Sequence, residues 1–175
     1  MSEDEKIADV TEMYVRTVGL DPTGQSLVIL ADKEERRLLP IWIGPFEAHA
    51  IASRLREEPQ ERPFTHDLLY DVISQLGHKV DRVVVNDLRD GTYYALVILH
   101  EDGAVAQLDA RPSDAIALAV RAQARIYVAD AVLDKAAVLS DEAEEEDVEK
   151  FKQLMDRLDL SGGKQAPEPP ESEVS

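Results

Sequence analysis

The sequence predicts an α+β domain with a mostly antiparallel sheet. Three observations predict it. Short runs rich in β-branched residues are separated by tight turns. Two Asp-Gly turns, Asp90-Gly91 and Asp102-Gly103, sit between apolar runs, a strong hairpin signal. The helical stretches follow groups of strands instead of alternating with each one, which argues against a doubly wound parallel sheet.

The elements follow in order. Val10 to Leu20 reads as a strand. Asp21-Pro22-Thr23-Gly24 is a turn, with Pro pre-setting φ at its second position. Ser26 to Ala31 and Arg37 to Ile43 complete an antiparallel meander. Gly44-Pro45 ends it, and Phe46 to Arg56 reads as a helix with Ala48, Ile51, Ala52 and Leu55 on one face. Thr65 is the predicted N-cap of a second helix through Leu76, whose apolar stripe is Leu68, Leu69, Val72, Ile73 and Leu76. Gly77 is placed to end it in a left-handed conformation.

Lys79 to Leu88, Thr92 to His100 and Ala104 to Asp109 form a second set of three strands. Pro112 suits a first helical turn, and Ala115 to Ala124 is apolar nearly all round, which predicts a buried helix. Ile126 to Val128 is a short last strand. The resulting order, βββ-α-α-βββ-α-β with three packed helices, hints at a duplicated βββα unit, although no residue-level repeat compels it. Beyond the domain, Val148, Phe151, Leu154, Met155 and Leu158 mark an amphipathic helix. The organisation read from this is an acidic lead at 1–7, a domain at 8–139, an acidic amphipathic helix at 140–160 and a Pro/Glu/Ser-rich disordered tail at 161–175.

The chain has 175 residues and a net charge of −17. The acid excess is concentrated at the ends: residues 1–12 carry −4, residues 140–175 carry −8, and the long middle only −5. Such a balance repels phosphates at long range and opposes nucleic-acid binding unless a local cation offsets it. Cysteine is absent, which excludes disulfides, thiolate nucleophiles and cysteine metal sites. No run approaches the roughly 18–20 apolar residues of a membrane span, and the acidic start has no apolar leader core, so the expected location is cytoplasmic.

Three segments place polar groups where an apolar element begins: Leu39 to Ala48, Arg62 to Leu69 and Leu108 to Leu118. Glu47, Asp67, Asp109 and Asp114 are oxygen donors suited to Mg²⁺ or Mn²⁺. A divalent metal held there would activate water for in-line phosphodiester displacement. Arg111 would neutralise a phosphate bidentately, and His66, in a polar helix start, would move a proton. The expected catalytic set is therefore His66, Asp67, Asp109, Arg111 and Asp114. The plain alternative is structural: Glu47, Asp67 and Asp114 all fall in first helical turns, where an acid complements the helix dipole. Trp42 alternates with apolar neighbours and is expected in the core.

The runs LPIWIGPFEAHAI (Leu39 to Ile51), RPFTHDLL (Arg62 to Leu69), LGHKVDRVVVNDLRDGTYYA (Leu76 to Ala95) and LDARPSDAIALAVR (Leu108 to Arg121) resemble the bifunctional nuclease domain family. The resemblance spans roughly Ala8 to Leu139. It implies an α+β fold, a homo-oligomer (a dimer is the expected form) and hydrolysis of both DNA and RNA. The site residues above come from the chemistry of the segments and not from the resemblance.

Three functions compete. The first is a metal-assisted nuclease with little sequence preference. The second is a non-catalytic oligomeric binding or regulatory module, its protein partner held by residues 148–158. The third is a binder of a small anion at the helix start Arg111–Asp114, against which Asp114 itself counts.

Overall fold

A computed structural model of the chain describes residues 9–101 and 103–139. The acidic lead, the amphipathic segment 148–158 and the Pro-rich end lie outside the described residues. The predicted α+β order is present from Val10 onward: β1 (Val10–Leu20), β2 (Ser26–Asp32), β3 (Arg37–Trp42), α1 (Pro45–Leu55), α2 (Thr65–Gln75), β4 (Lys79–Arg89), β5 (Thr92–Glu101), β6 (Ala104–Ala110), α3 (Pro112–Ala122) and β7 (Arg125–Ala129). Two elements were not predicted, α4 (Asp130–Ala136) and β8 (Val138–Leu139), so the three-helix order is corrected to four helices.

The strands form one mixed sheet in the order β6-β5-β4-β7-β1-β2-β3-β8. All pairs are antiparallel except β4 with β7. The parallel pair arises because β7 returns through α3, a crossover that a hairpin turn cannot make. Residues from all four helices, such as Ile51, Ile73, Ile116 and Leu133, pack in one core with Val28, Leu30, Leu39, Val83, Val85, Val97 and Leu99. The helices therefore cover one face of the sheet. Alternation along β2 sends Leu27, Ile29 and Ala31 to the other face, where they cluster with Leu38.

The strand order is symmetric about β7. The meander β1-β2-β3 lies on one side and β4-β5-β6 on the other. Because β7 is antiparallel to β1 and parallel to β4, the two meanders run in opposite senses, as a rotation about the sheet normal would place them. The sequences agree. Leu27-Val28-Ile29-Leu30 is repeated as Leu96-Val97-Ile98-Leu99, and in both copies the Val and last Leu face the helices. Pro45, Ala48, Ala50, Ala52 and Arg54 of α1 recur as Pro112, Ala115, Ala117, Ala119 and Arg121 of α3. The duplicated unit is thus a residue-level repeat, masked in a linear reading by turns of unequal length.

Several local expectations change. Thr65 is the first residue of α2, and Phe64 holds the cap position. Of the predicted α2 stripe only Ile73 is buried, while Leu68, Leu69, Val72 and Leu76 are exposed, because α2 lies outermost and meets α3 along one side. Trp42 is 51% exposed and its Nε1–H donates to Asp21 Oδ2 at 2.9 Å, so it braces the β1–β2 turn instead of filling the core. That bond, with donors from Thr23 and Gln25, holds the Asp21 carboxyl down at about 2. Gly77 ends α2 at φ +86°, as expected. No helix among the described residues is long and apolar enough to cross a membrane.

Candidate functional site

The repeat creates two equivalent helix starts. Each has proline at the first helical position and an acid two residues later, Pro45 with Glu47 in α1 and Pro112 with Asp114 in α3. Proline is tolerated there because its missing N–H would have no intrahelical partner. The cap residues differ: Gly44 in α1 and Arg111 in α3.

Arg111 bridges the two starts. Its Nε donates to Asp114 Oδ2 at 2.7 Å and its Nη2 to Asp114 Oδ1 at 3.1 Å. The same Nη2 lies 3.0 Å from Glu47 Oε1. His66, in the first turn of α2, brings Nε2 to 2.9 Å from Asp114 Oδ1. Burial pushes the Asp114 carboxyl up, but the hydrogen bonds and charges of Arg111 and His66 outweigh it and hold it below the ordinary carboxylate range. An ionised carboxylate only accepts, so His66 Nε2 is the donor in this pair. The Arg111 side chain is 67% exposed, whereas His66 is 12% exposed. A cation thus reaches solvent beside a partly buried acid–base pair.

This network forms the wall of a groove of about 560 Å³. Phe46, His49 and Phe64 line the rest of it. Phe46 is 87% exposed, and the rings of His49 and Phe64 meet at 5.7 Å and 56°. A cleft of about 630 Å³ lies elsewhere, beside Lys79, Arg82, His100 and Arg125, but no His–carboxylate pair lines it.

Glu47, His66, Arg111 and Asp114 therefore come together, and two of the expected residues do not join them. Asp67 faces the other way along α2. It accepts from the Phe64 N–H at 2.8 Å and from Arg121 Nε at 2.6 Å. Arg121 also donates to the carbonyls of Ala50 and Ala117 at 3.1 and 2.9 Å, tying α1, α2 and α3 together. Asp67 is a structural staple for that buried guanidinium. Asp109 lies on edge strand β6, opposite Leu96 in register. Its neighbour Ala110 packs toward the helices, so Asp109 points to the far face of the sheet. Sequence reasoning missed Arg121 as a partner, although a lone charge inside the apolar run Ala115–Ala122 is its signal.

Nor do the carboxylates assemble a metal centre. Among the described residues no three His, Cys, Asp or Glu side chains stand together as ligands for one ion. Asp114 spends both oxygens on Arg111 and His66, and Glu47 one on Arg111. The expected set Glu47, Asp67, Asp109 and Asp114 is spread over two faces of the sheet.

The family model of the bifunctional nuclease domain matches residues 28–141, which include every member of the Arg111 network. The chain belongs to the bifunctional nuclease domain family. Two uncharacterized proteins of Mycobacterium tuberculosis, from strains CDC 1551 and H37Rv, are each 42% identical to it over 156 residues. The match covers 82% of this chain and 93% of theirs, so the likeness extends over nearly the whole of those relatives. Family membership thus rests on the domain as a whole, and the four-residue network is what this chain's own geometry adds to it.

Proposed function

We propose that the chain is a phosphodiester hydrolase acting on DNA and RNA, with the groove at the Arg111 network as its active site. One observation carries the proposal: a His66–Asp114 pair hydrogen-bonded at 2.9 Å, with an exposed Arg111 bound to the same carboxylate. The family's nuclease character supports the substrate class.

The residues divide the work. Asp114 orients the imidazole and stabilises its charged form. His66 Nδ1 takes a proton from water as the water oxygen attacks phosphorus. The ester P–O bond breaks, and the leaving oxygen takes a proton from the imidazolium or from solvent, giving a phosphomonoester and an alcohol. Arg111 meets the phosphate through its exposed edge. Phe46 presents a face on which a base can stack, a contact indifferent to base identity. Glu47 holds the guanidinium in place.

Charge bears on how the substrate binds. With neutral His66 the four side chains sum to −1, and Arg111 is already paired. A phosphate must therefore compete with Glu47 and Asp114 for the guanidinium, which predicts weak, salt-sensitive binding. No step is assigned to a metal, because the donor set does not fit one.

The test is cleavage of single-stranded DNA, duplex DNA and RNA by purified wild type and by His66→Ala, Asp114→Asn and Arg111→Gln. Loss in all three with the fold retained supports the site. Cleavage equal to wild type in His66→Ala removes His66 as the base.

A further inference from the structure

The sheet face away from the helices carries a contradiction. Leu27, Ile29 and Ala31 are 0% exposed and Leu38 is 1% exposed. Yet no residue of α1 to α4 belongs to their cluster, since all four helices pack on the opposite face. In register, Leu27 lies between Gly19 and Trp42, and Ile29 between Thr17 and Pro40. Trp42 is itself half exposed. In the second repeat the same face also holds buried side chains, Val84 and Ile98 at 1% exposed each, while Leu96, the counterpart of Leu27, is partly buried. A bare sheet face does not close over an Ile or a Leu, so a further layer lies over this face, the first repeat included.

We propose that the segment Val148–Leu158 of this same chain is that layer, an amphipathic helix docked across β1, β2 and β3. Its apolar positions Val148, Phe151, Leu154, Met155 and Leu158 fall on one helical face. An eleven-residue helix is about 16 Å long, enough to cross three strands about 4.8 Å apart.

The chain is delivered to the right place. Val138 and Leu139 pair with Leu38 and Arg37, so the described chain ends one strand away from the apolar cluster. The eight residues 140–147 then reach up to about 28 Å, more than the width of the patch.

The absence of cysteine gives a direct test in the full-length chain. Ala31→Cys puts a single thiol under the docked segment, and Glu34→Cys puts one on the exposed turn as reference. The proposal expects the Ala31→Cys thiol to react with a maleimide at least ~100-fold more slowly than the reference. Adding Leu154→Asp should raise its reactivity at least ~10-fold, with far-UV circular dichroism retained. Leu154→Ala, a milder change, should give a smaller rise and covers the case in which the Asp variant fails to fold. Three results would overturn the proposal: equal reactivity of the two thiols in the parent chain, unchanged protection in both Leu154 variants, or protection that disappears on dilution as a dimer dissociates. The last would assign the layer to a second copy.

Discussion

Arg111 joins Glu47 to Asp114, and these acids occupy equivalent positions in the two copies of an internal repeat. Only Asp114 also touches a histidine. The duplicated architecture thus supplies two similar helix starts, which differ in the cap residue, Gly44 against Arg111, and in the His66 beside Asp114. This asymmetry ranks the variants. Asp114→Asn is expected to lower kcat about 10²–10⁴-fold by loss of the imidazole's partner. Glu47→Gln should act mainly on KM, because Glu47 is paired with Arg111 and not with His66. Steady-state kinetics on a short fluorescent oligonucleotide separates the two.

Asp109 points to the opposite face of the sheet, so Asp109→Asn should cleave at the wild-type rate. A large loss in that variant, with the fold intact, would move the site to the far face.

Arg121 is the second charged residue on which the helix layer depends. Its side chain is 3% exposed and it binds one carboxylate and two carbonyls. Arg121→Ala should cost about 3–5 kcal/mol, because it removes the charged partner of Asp67 and one donor from each of two buried carbonyls. Asp67→Asn should cost about 1–3 kcal/mol. The double variant should cost less than the sum, a coupling that chemical denaturation would measure.

Acid should unfold the domain through the same groups. Burial pushes Asp32, Asp67 and Asp114 up, but their arginine partners and N–H donors outweigh it, and all three titrate below the ordinary carboxylate range. Their ionised forms therefore favour the fold. The stabilisation is complete above the unfolded value of about 3.9 and is lost as pH falls through the lower folded values. Stability should be flat with respect to these groups from about pH 5 to 7 and decline below about pH 4. Asp67→Asn should show a shallower decline in denaturation midpoints measured against pH.

Much of this was legible in the sequence. Strand and helix order followed from alternation, turn chemistry and helical spacing, which act locally. Pro112 and Gly77 took their predicted positions because backbone geometry alone decides them. The repeat was readable in the identical Leu27–Leu30 and Leu96–Leu99, but unequal turns broke its register. The sites of Asp67 and Asp109 were not legible. Asp67 is set by which of two arginines lies across a helix interface, and Asp109 by the parity of one residue on an edge strand. Both are tertiary facts. Trp42 misled because alternation reports a strand's faces without saying which neighbour shields them. The α4–β8 return escaped because seven and two residues are too short to show a period.

The metal expectation separates cleanly from the rest. Glu47 and Asp114 are committed to Arg111 and His66, so cleavage should persist in EDTA at a rate within about threefold of that in Mg²⁺ or Mn²⁺, half a kcal/mol or so of barrier. Abolition by EDTA and rescue by metal would show that an ion displaces Arg111 from the two carboxylates.

The most direct measurement is the single-turnover cleavage rate of a labelled single-stranded DNA by wild type and His66→Ala, purified side by side and shown by circular dichroism to be equally folded. Cleavage by wild type and at least ~100-fold slower cleavage by His66→Ala is the predicted result. Equal rates, or no cleavage by either protein, would contradict a hydrolytic site at His66, Arg111 and Asp114.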